Sequence, residues 1–60
     1  MYRPIKLKTL RNNQYFTLIE KPFSPMMRMF KLMGCDCVRC KGADGYHDLP
    51  ENLLVMRYNP

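Results

Sequence analysis

The sequence lacks several features that would identify a function at once. No apolar run approaches the roughly 18 residues that a membrane-spanning helix needs. The first four residues, MYRP, contain no apolar stretch like that of a signal peptide. A glycine-rich phosphate loop is missing, and so is a second C-x2-C pair, which would make zinc binding a strong prediction. We therefore expect a cytoplasmic protein without membrane contacts.

Acidic residues are also scarce. The chain has 10 lysines and arginines against 5 acidic residues, which gives a formal net charge of +5. A net positive charge favours a polyanionic partner such as nucleic acid, or an acidic protein surface. Ordinary solvation is the competing explanation, since a net charge of about 2 to 8 is normal for small domains.

The length limits how much core the chain can build. Its 60 residues predict one small domain over residues 1–60. A chain of this size buries only about 60% of its unfolded surface, and a single core of this size seldom yields more than roughly 3–5 kcal/mol net. A zinc ion, a disulfide or a partner would therefore help it fold. The odd number of cysteines favours reduced thiols or metal ligands over a secreted disulfide framework.

Alternating side chains predict a β-hairpin near the N-terminus. Residues 5–8 (IKLK) alternate apolar and basic side chains, and residues 15–19 (YFTLI) are rich in aromatic and β-branched ones. Between them, residues 11–14 (RNNQ) contain adjacent asparagines, which tolerate the positive φ of a tight turn. The open side of the hairpin would carry four basic and aromatic side chains, Lys6, Lys8, Arg11 and Tyr15.

The middle of the chain allows two interpretations. Residues 21–25 (KPFSP) predict a loop, because two prolines exclude a central strand. For residues 25–33, Pro25 at the first position and methionines at helical spacing predict a short helix, which would give an α+β fold. We favour a strand in which Phe30 and Leu32 face the core, because a sheet needs more than one hairpin. The methionines are then gap-filling core residues, or an adaptable partner-binding surface if they are exposed.

The remaining segments complete an all-β prediction. An Asp-Gly turn at residues 44–45 precedes an extended stretch at 46–49, and residues 53–58 (LLVMRY) form a final strand. The resulting order of about five short strands, opened by PIKLKTL and YFTL, resembles the small five-stranded Src-homology-3-like barrel proteins of bacteria and phages. The resemblance implies a compact binding module more often than an enzyme.

Every cysteine and the single histidine lie close together, at positions 35, 37, 40 and 47. Four sulfur and imidazole groups at C-x-C-x2-C-x6-H spacing suit a closed tetrahedral zinc site. A regular strand over residues 36–41 would instead place Cys37 and Cys40 on opposite faces, where they could not share one ion. Zinc and structural thiols both stay open. The candidate metal ligands are Cys35, Cys37, Cys40 and His47.

Neither interpretation predicts an enzyme. A zinc ion with four protein ligands has no open position for water, so it would stabilise the fold without catalysing a reaction. A nucleophilic cysteine paired with His47 would need a base within hydrogen-bond reach and an oxyanion site, and no motif supplies them.

The sequence therefore predicts a small basic binding protein that contacts nucleic acid or a nucleic-acid-handling complex. Basic side chains would contact phosphates, and tyrosines would stack on bases. One alternative is a protein–protein interaction module or inhibitor that uses methionine and aromatic side chains. Another is a zinc-stapled structural subunit. The predicted binding residues are Lys6, Lys8, Arg11, Tyr15, Arg39, Lys41 and Tyr46.

Overall fold

The fold is almost entirely β. The computed structural model describes residues 3–59 and contains one six-stranded antiparallel sheet in the order β1-β6-β2-β3-β4-β5. The all-β prediction is confirmed. No helix within residues 3–59 has the length and apolar character that crossing a bilayer requires. The strands are β1 (Ile5–Lys6), β2 (Tyr15–Leu18), β3 (Lys21–Lys31), β4 (Cys37–Gly42), β5 (Gly45–Pro50) and β6 (Leu54–Arg57).

The sheet is open, with β1 and β5 at its edges. Strands β2 to β5 form an antiparallel meander, and β6 returns to pair with β2 and β1. The backbone N–H of Lys8, after β1, donates to the carbonyl oxygen of Glu51, after β5, at 2.8 Å. The two edges therefore approach each other at one end, and the sheet curls around its core without forming a closed barrel.

The predicted N-terminal hairpin is wrong. β1 pairs with β6 and not with β2, and the chain then enters a 3₁₀ turn at Leu7–Thr9. Side chains three residues apart lie on the same side of a 3₁₀ helix, and Leu7 and Leu10 are both buried. In a strand these two leucines would point to opposite faces. Burial of both side chains therefore outweighs the alternation of residues 5–8.

The middle segment is a strand. β3 covers Lys21–Lys31, so the strand interpretation is confirmed as far as Lys31, and the helix alternative at residues 25–33 is wrong. A two-turn helix is marginal without tertiary support. In the sheet, the same segment pairs with β2 on one side and with β4 on the other.

The two prolines of β3 lie in a bulge, so the predicted loop at residues 21–25 is part of a strand. Phe16 of β2 pairs with Met26, and Leu18 pairs with Lys21. One β2 residue, Thr17, therefore lies opposite four β3 residues, 22–25. Proline has no N–H for ladder pairing, but bulges accommodate it. The prolines thus interrupt the ladder without ending the strand.

A second bulge reverses the predicted orientation of Phe30. Arg28 pairs with Cys40 and Phe30 pairs with Arg39, which leaves Met29 as an extra residue in β3. An extra residue moves the following side chains to the other face. Phe30 is consequently 43% exposed rather than part of the core.

The core lies on one face of the sheet, which we call the inner face; the opposite side is the outer face. Strands β2, β3, β4 and β6 contribute side chains to the core, and the segment between β1 and β2 contributes two more. Four partly buried apolar residues, at positions 5, 18, 49 and 53, pack against it. The buried apolar residues are Leu7, Leu10, Phe16, Met26, Val38, Cys40 and Val55.

Arg28 fastens the segment between β1 and β2 over the inner face. Its Cα pairs with that of the buried Cys40, so its side chain starts on the inner side. The Nη1 group donates to the carbonyl oxygens of Leu7 and Leu10 at 3.2 and 2.5 Å, and Nε donates to Asn12 Oδ1 at 3.1 Å. One charged side chain therefore satisfies polar groups along most of this segment.

Candidate functional site

Four side chains form one row across the outer face, and we call them the tyrosine row: Tyr15, Met27, Lys41 and Tyr46. Tyr15 pairs with Met27, Met27 with Lys41, and Lys41 with Tyr46. Residues paired in this way project from the same face of a sheet. Tyr15 and Tyr46 are 45% and 63% exposed, and Lys41 is exposed between them. Three strand spacings separate the tyrosines by about 14 Å.

A second row lies beside the first, two residues further back along β4. Phe30 pairs with Arg39, and Arg39 pairs with Asp48. Arg39 Nε donates to Asp48 Oδ1 at 2.8 Å, and Nη2 donates to Oδ2 at 3.1 Å. The guanidinium carbon lies 6.0 Å from the centre of the Phe30 ring. Because two residues span about 7 Å of strand, the two rows are neighbours.

The ion pair changes what Arg39 contributes to the outer face. The hydrogen bond and charge of Arg39 lower the pKa of Asp48, and those of Asp48 raise the pKa of Arg39. Both groups are therefore ionised at neutral pH, and their charges cancel. None of the ion pairs formed within residues 3–59 uses Lys41. Lys41 is thus the uncompensated charge of the two rows.

The structure divides the predicted binding residues into two groups. Those from β2, β4 and β5, namely Tyr15, Arg39, Lys41 and Tyr46, share the outer face. The other three, although exposed, do not join the rows. Lys6 lies in the edge strand β1, Lys8 in the 3₁₀ turn and Arg11 in the loop before β2.

Three members of the rows, Met27, Phe30 and Asp48, are absent from the sequence-based prediction. Their partnership depends on which residues face one another across strands, and the bulge at Met29 decides that for Phe30. The bulge consists of one extra residue, Met29, and no glycine or other distinctive residue type marks its position in the sequence. The Asp-Gly signal does not give the Arg39 and Asp48 pair, because a turn centred on residues 44–45 would pair Arg39 with Pro50, whereas the structure turns at residues 43–44 and pairs Gly42 with Gly45.

The strand β4 separates the cysteines. Cys40 is fully buried on the inner face, Cys37 is half-buried on the outer face, and Cys35 is exposed in the turn before β4. His47 pairs with Cys40 across the strands, but its Nε2 lies 2.8 Å from Asp44 Oδ1. Among residues 3–59, no three His, Cys, Asp or Glu side chains are grouped as metal ligands would be. The geometry follows the strand interpretation, and zinc binding stays a prediction.

The surroundings of two cysteines suppress their ionisation. Burial raises the pKa of Cys40 to about 11. A hydrogen bond with Cys35, together with desolvation, raises the pKa of Cys37. The thiolate is the form that reacts with electrophiles and binds metals. Cys40 therefore acts as a small apolar core residue, as buried free cysteines commonly do.

A groove of about 520 Å³ opens beside the proline-containing part of β3. Phe23 stands at this groove and is 94% exposed. The polar pair His47 and Asp44 lies on the opposite side, and its hydrogen bond lowers the pKa of Asp44. The apolar walls come from Leu18, Phe23, Pro25, Met26 and Leu49.

The methionines do not form a common surface. Met26 is buried in the core, as predicted for gap-filling residues. Met27 and Met29 are half-buried, whereas Met33 is 99% exposed in the turn between β3 and β4. The core interpretation is thus confirmed for Met26 and wrong for Met33.

Comparisons with protein-family models, with curated proteins and with solved structures found no match for this chain. The side chains of the outer face are therefore the best guide to its function.

Proposed function

We propose that the protein binds single-stranded nucleic acid on the outer face of its sheet. The observation that supports this most strongly is the tyrosine row, where exposed Tyr15 and Tyr46 flank Lys41. Each base offers a π-face to an aromatic side chain, and each such stack contributes about 1–3 kcal/mol to binding. A lysine between two stacking rings is well placed to contact the phosphates that join the stacked bases.

A single strand suits this surface better than a duplex. In a duplex the bases are stacked on one another, and a protein reads only their edges by inserting a helix or ribbon into a groove. Proteins that bind single strands instead display aromatic side chains on a sheet, on which unstacked bases lie. The outer face displays two tyrosines and Phe30 in this way.

The charge of the chain supports attraction to a polyanion, but only part of it lies at the rows. The net charge of +5 favours association with nucleic acid through long-range attraction. Arg39 is neutralised by Asp48, so Lys41 is the direct phosphate contact that we expect from the rows. Each phosphate contact on a single strand changes the slope of log affinity against log salt by about 0.7. We therefore expect a shallow dependence on salt.

A fluorescence anisotropy titration tests the proposal. Labelled oligothymidylate, oligouridylate and a duplex of equal length are titrated with the protein at low and at moderate salt. We expect both single strands to bind more tightly than the duplex and to bind less tightly as salt is added. Failure of every single strand to bind at low salt would contradict the proposal.

A protein partner is the second candidate, and Phe23 is the observation that favours it. An aromatic side chain that is 94% exposed beside an apolar groove resembles the anchors that dominate many protein interfaces. The Phe23→Ala variant should weaken such an interaction and Tyr46→Ala should not. Nucleic-acid binding predicts the reverse for these two variants.

We also propose that the sheet is a divergent form of the Src-homology-3-like barrel. The support is its chain order, in which a four-stranded meander is followed by a short turn and a strand that returns to β2. We also propose a cytoplasmic location, because an odd number of cysteines favours reduced thiols over a secreted disulfide framework. Mass spectrometry of the protein extracted under thiol-blocking conditions should then find no disulfide.

A further inference from the structure

Arg39 is held by Asp48 in a way that leaves part of its guanidinium group accessible. The bidentate pair uses Nε and Nη2 of Arg39 and both carboxylate oxygens of Asp48. No hydrogen bond within residues 3–59 uses Arg39 Nη1. The side chain of Arg39 is 40% exposed. The planar guanidinium group is therefore fixed in direction, and the N–H donors that Asp48 does not use face solvent.

The guanidinium group of Arg39 lies beside the tyrosine row. Arg39 lies two residues before Lys41 on the same face of β4, a step of about 7 Å. The Phe30 ring lies 6.0 Å from the guanidinium carbon and supports it from the β3 side. A base beside those stacked on the tyrosine row would therefore meet an oriented arginine.

We propose that the outer face prefers guanine within a single strand, and that Arg39 recognises guanine by donating hydrogen bonds to its O6 and N7 atoms. This inference rests on the proposed function. Arginine donating to these two acceptors is the commonest specific contact between proteins and bases. Asp48 is a positioning residue, because it orients the arginine without contacting the base.

The free donors of Arg39 match guanine better than the other bases. Guanine presents two adjacent acceptors, whereas adenine pairs its N7 acceptor with an amino donor. Cytosine offers an amino donor at the corresponding edge, and a donor cannot pair with the N–H donors of Arg39. Thymine and uracil present a single carbonyl oxygen there. Only guanine accepts hydrogen bonds from two N–H donors of the guanidinium group.

Base analogues test this preference without changing the protein. Oligothymidylate and oligouridylate, each with one central position replaced, are compared by anisotropy in matched sets that carry guanine, hypoxanthine, 7-deazaguanine or adenine. Hypoxanthine keeps O6 and N7, so it should bind like guanine. Adenine should bind about five- to 150-fold more weakly than guanine, and 7-deazaguanine should lie between them. The two backbones separate a DNA ligand from an RNA ligand.

Variants test the roles of Arg39 and Asp48. Arg39→Lys keeps the positive charge but loses the planar pair of N–H donors, so the ratio of guanine to adenine affinity should fall close to one. Lys8→Gln should leave that ratio unchanged. Asp48→Ala should reduce the ratio and also steepen the salt dependence by about 0.7, because the released arginine becomes a phosphate contact. Asp36→Ala removes the same charge from an exposed position that holds no arginine, so it should leave both the base ratio and the salt slope close to those of the wild type.

Two outcomes are distinguishable. Equal affinities for guanine, 7-deazaguanine and adenine would overturn the guanine preference and leave single-strand binding intact. Failure of every oligonucleotide to bind would overturn both proposals.

Discussion

The guanidinium Nη1 of Arg28 donates a 2.5 Å hydrogen bond to the carbonyl oxygen of Leu10. The same group also contacts the carbonyl oxygens of Leu7 and Lys8, at 3.2 and 3.1 Å. Leu7 and Leu10 are both buried in the core. Arg28 therefore holds in place a segment that has no strand pairing of its own and yet covers the inner face.

Replacing this arginine should destabilise the fold. Hydrogen bonds from a charged group contribute about 1.5–3 kcal/mol, and unsatisfied carbonyl groups add a further penalty. We expect Arg28→Met to lower the free energy of unfolding by about 2 kcal/mol, measured by urea unfolding followed by circular dichroism. Arg11→Met, at an exposed position in the same segment, is the matched control and should have little effect. Equal losses in the two variants would contradict the role given to Arg28.

The three thiols should react at very different rates. Cys35 is exposed, Cys37 is half-buried with a raised pKa, and Cys40 is buried with its pKa raised to about 11. Labelling with an alkylating reagent near neutral pH, read by peptide mass spectrometry, should modify Cys35 first and Cys40 only after unfolding. Rapid labelling of Cys40 in the native protein would show that β4 does not bury it.

The zinc prediction can be checked on the same preparation. Elemental analysis of protein purified without chelator measures bound zinc directly, and a melting curve with and without chelator measures its effect on stability. A zinc-stapled protein should contain one ion per chain and melt at lower temperature after chelation. Because Cys40 lies on the other face from Cys37, zinc binding by all four candidate ligands would require β4 to depart from its strand geometry.

The alternation of apolar and polar residues along the sequence predicts much of this fold, most clearly in β4. In β4, Val38 and Cys40 alternate with Arg39 and Lys41, and their burial follows that order. In β2 the alternation is incomplete, because Phe16 and its neighbour Thr17 are both buried. Short strands that alternate regularly can therefore be located from sequence.

The pairing partners and bulges cannot be located in this way. β1 alternates like a hairpin strand, yet it pairs with β6, almost fifty residues away along the chain. The extra residue Met29 places Phe30 on the outer face, and nothing in its neighbours marks it. For the same reason, the sequence predicts Tyr15, Lys41 and Tyr46 as binding residues but cannot show that they form one row.

Stability should fall in acid because of Asp48 and Asp44. Arg39 and His47 lower the pKa values of these carboxyl groups in the folded protein. A lowered pKa stabilises the fold above the ordinary aspartate value near 4, and this contribution is lost as pH falls through the lowered pKa. Urea unfolding between neutral pH and about pH 3 should therefore show a decline that is smaller in Asp48→Asn. Asp36→Asn, in the exposed turn before β4, should decline like the wild type.

Two matched pairs of variants separate the outer face from the rest of the surface. Tyr46→Ala should weaken single-strand binding by about 1–3 kcal/mol through the loss of a stacked base. Phe23→Ala removes an even more exposed ring outside the rows and should bind normally. Lys41→Gln should reduce the salt slope by about 0.7, and Lys8→Gln should change it less. Equal effects within each pair would show that binding does not depend on the rows.

An NMR titration tests the location of the binding surface most directly. Backbone amide shifts of the labelled protein are recorded while a short oligothymidylate is added. Binding on the outer face predicts that the largest shift changes fall on Tyr15, Met27, Lys41 and Tyr46, with smaller ones at Arg39. Changes confined to the segment between β1 and β2, or to the groove beside Phe23, would contradict it.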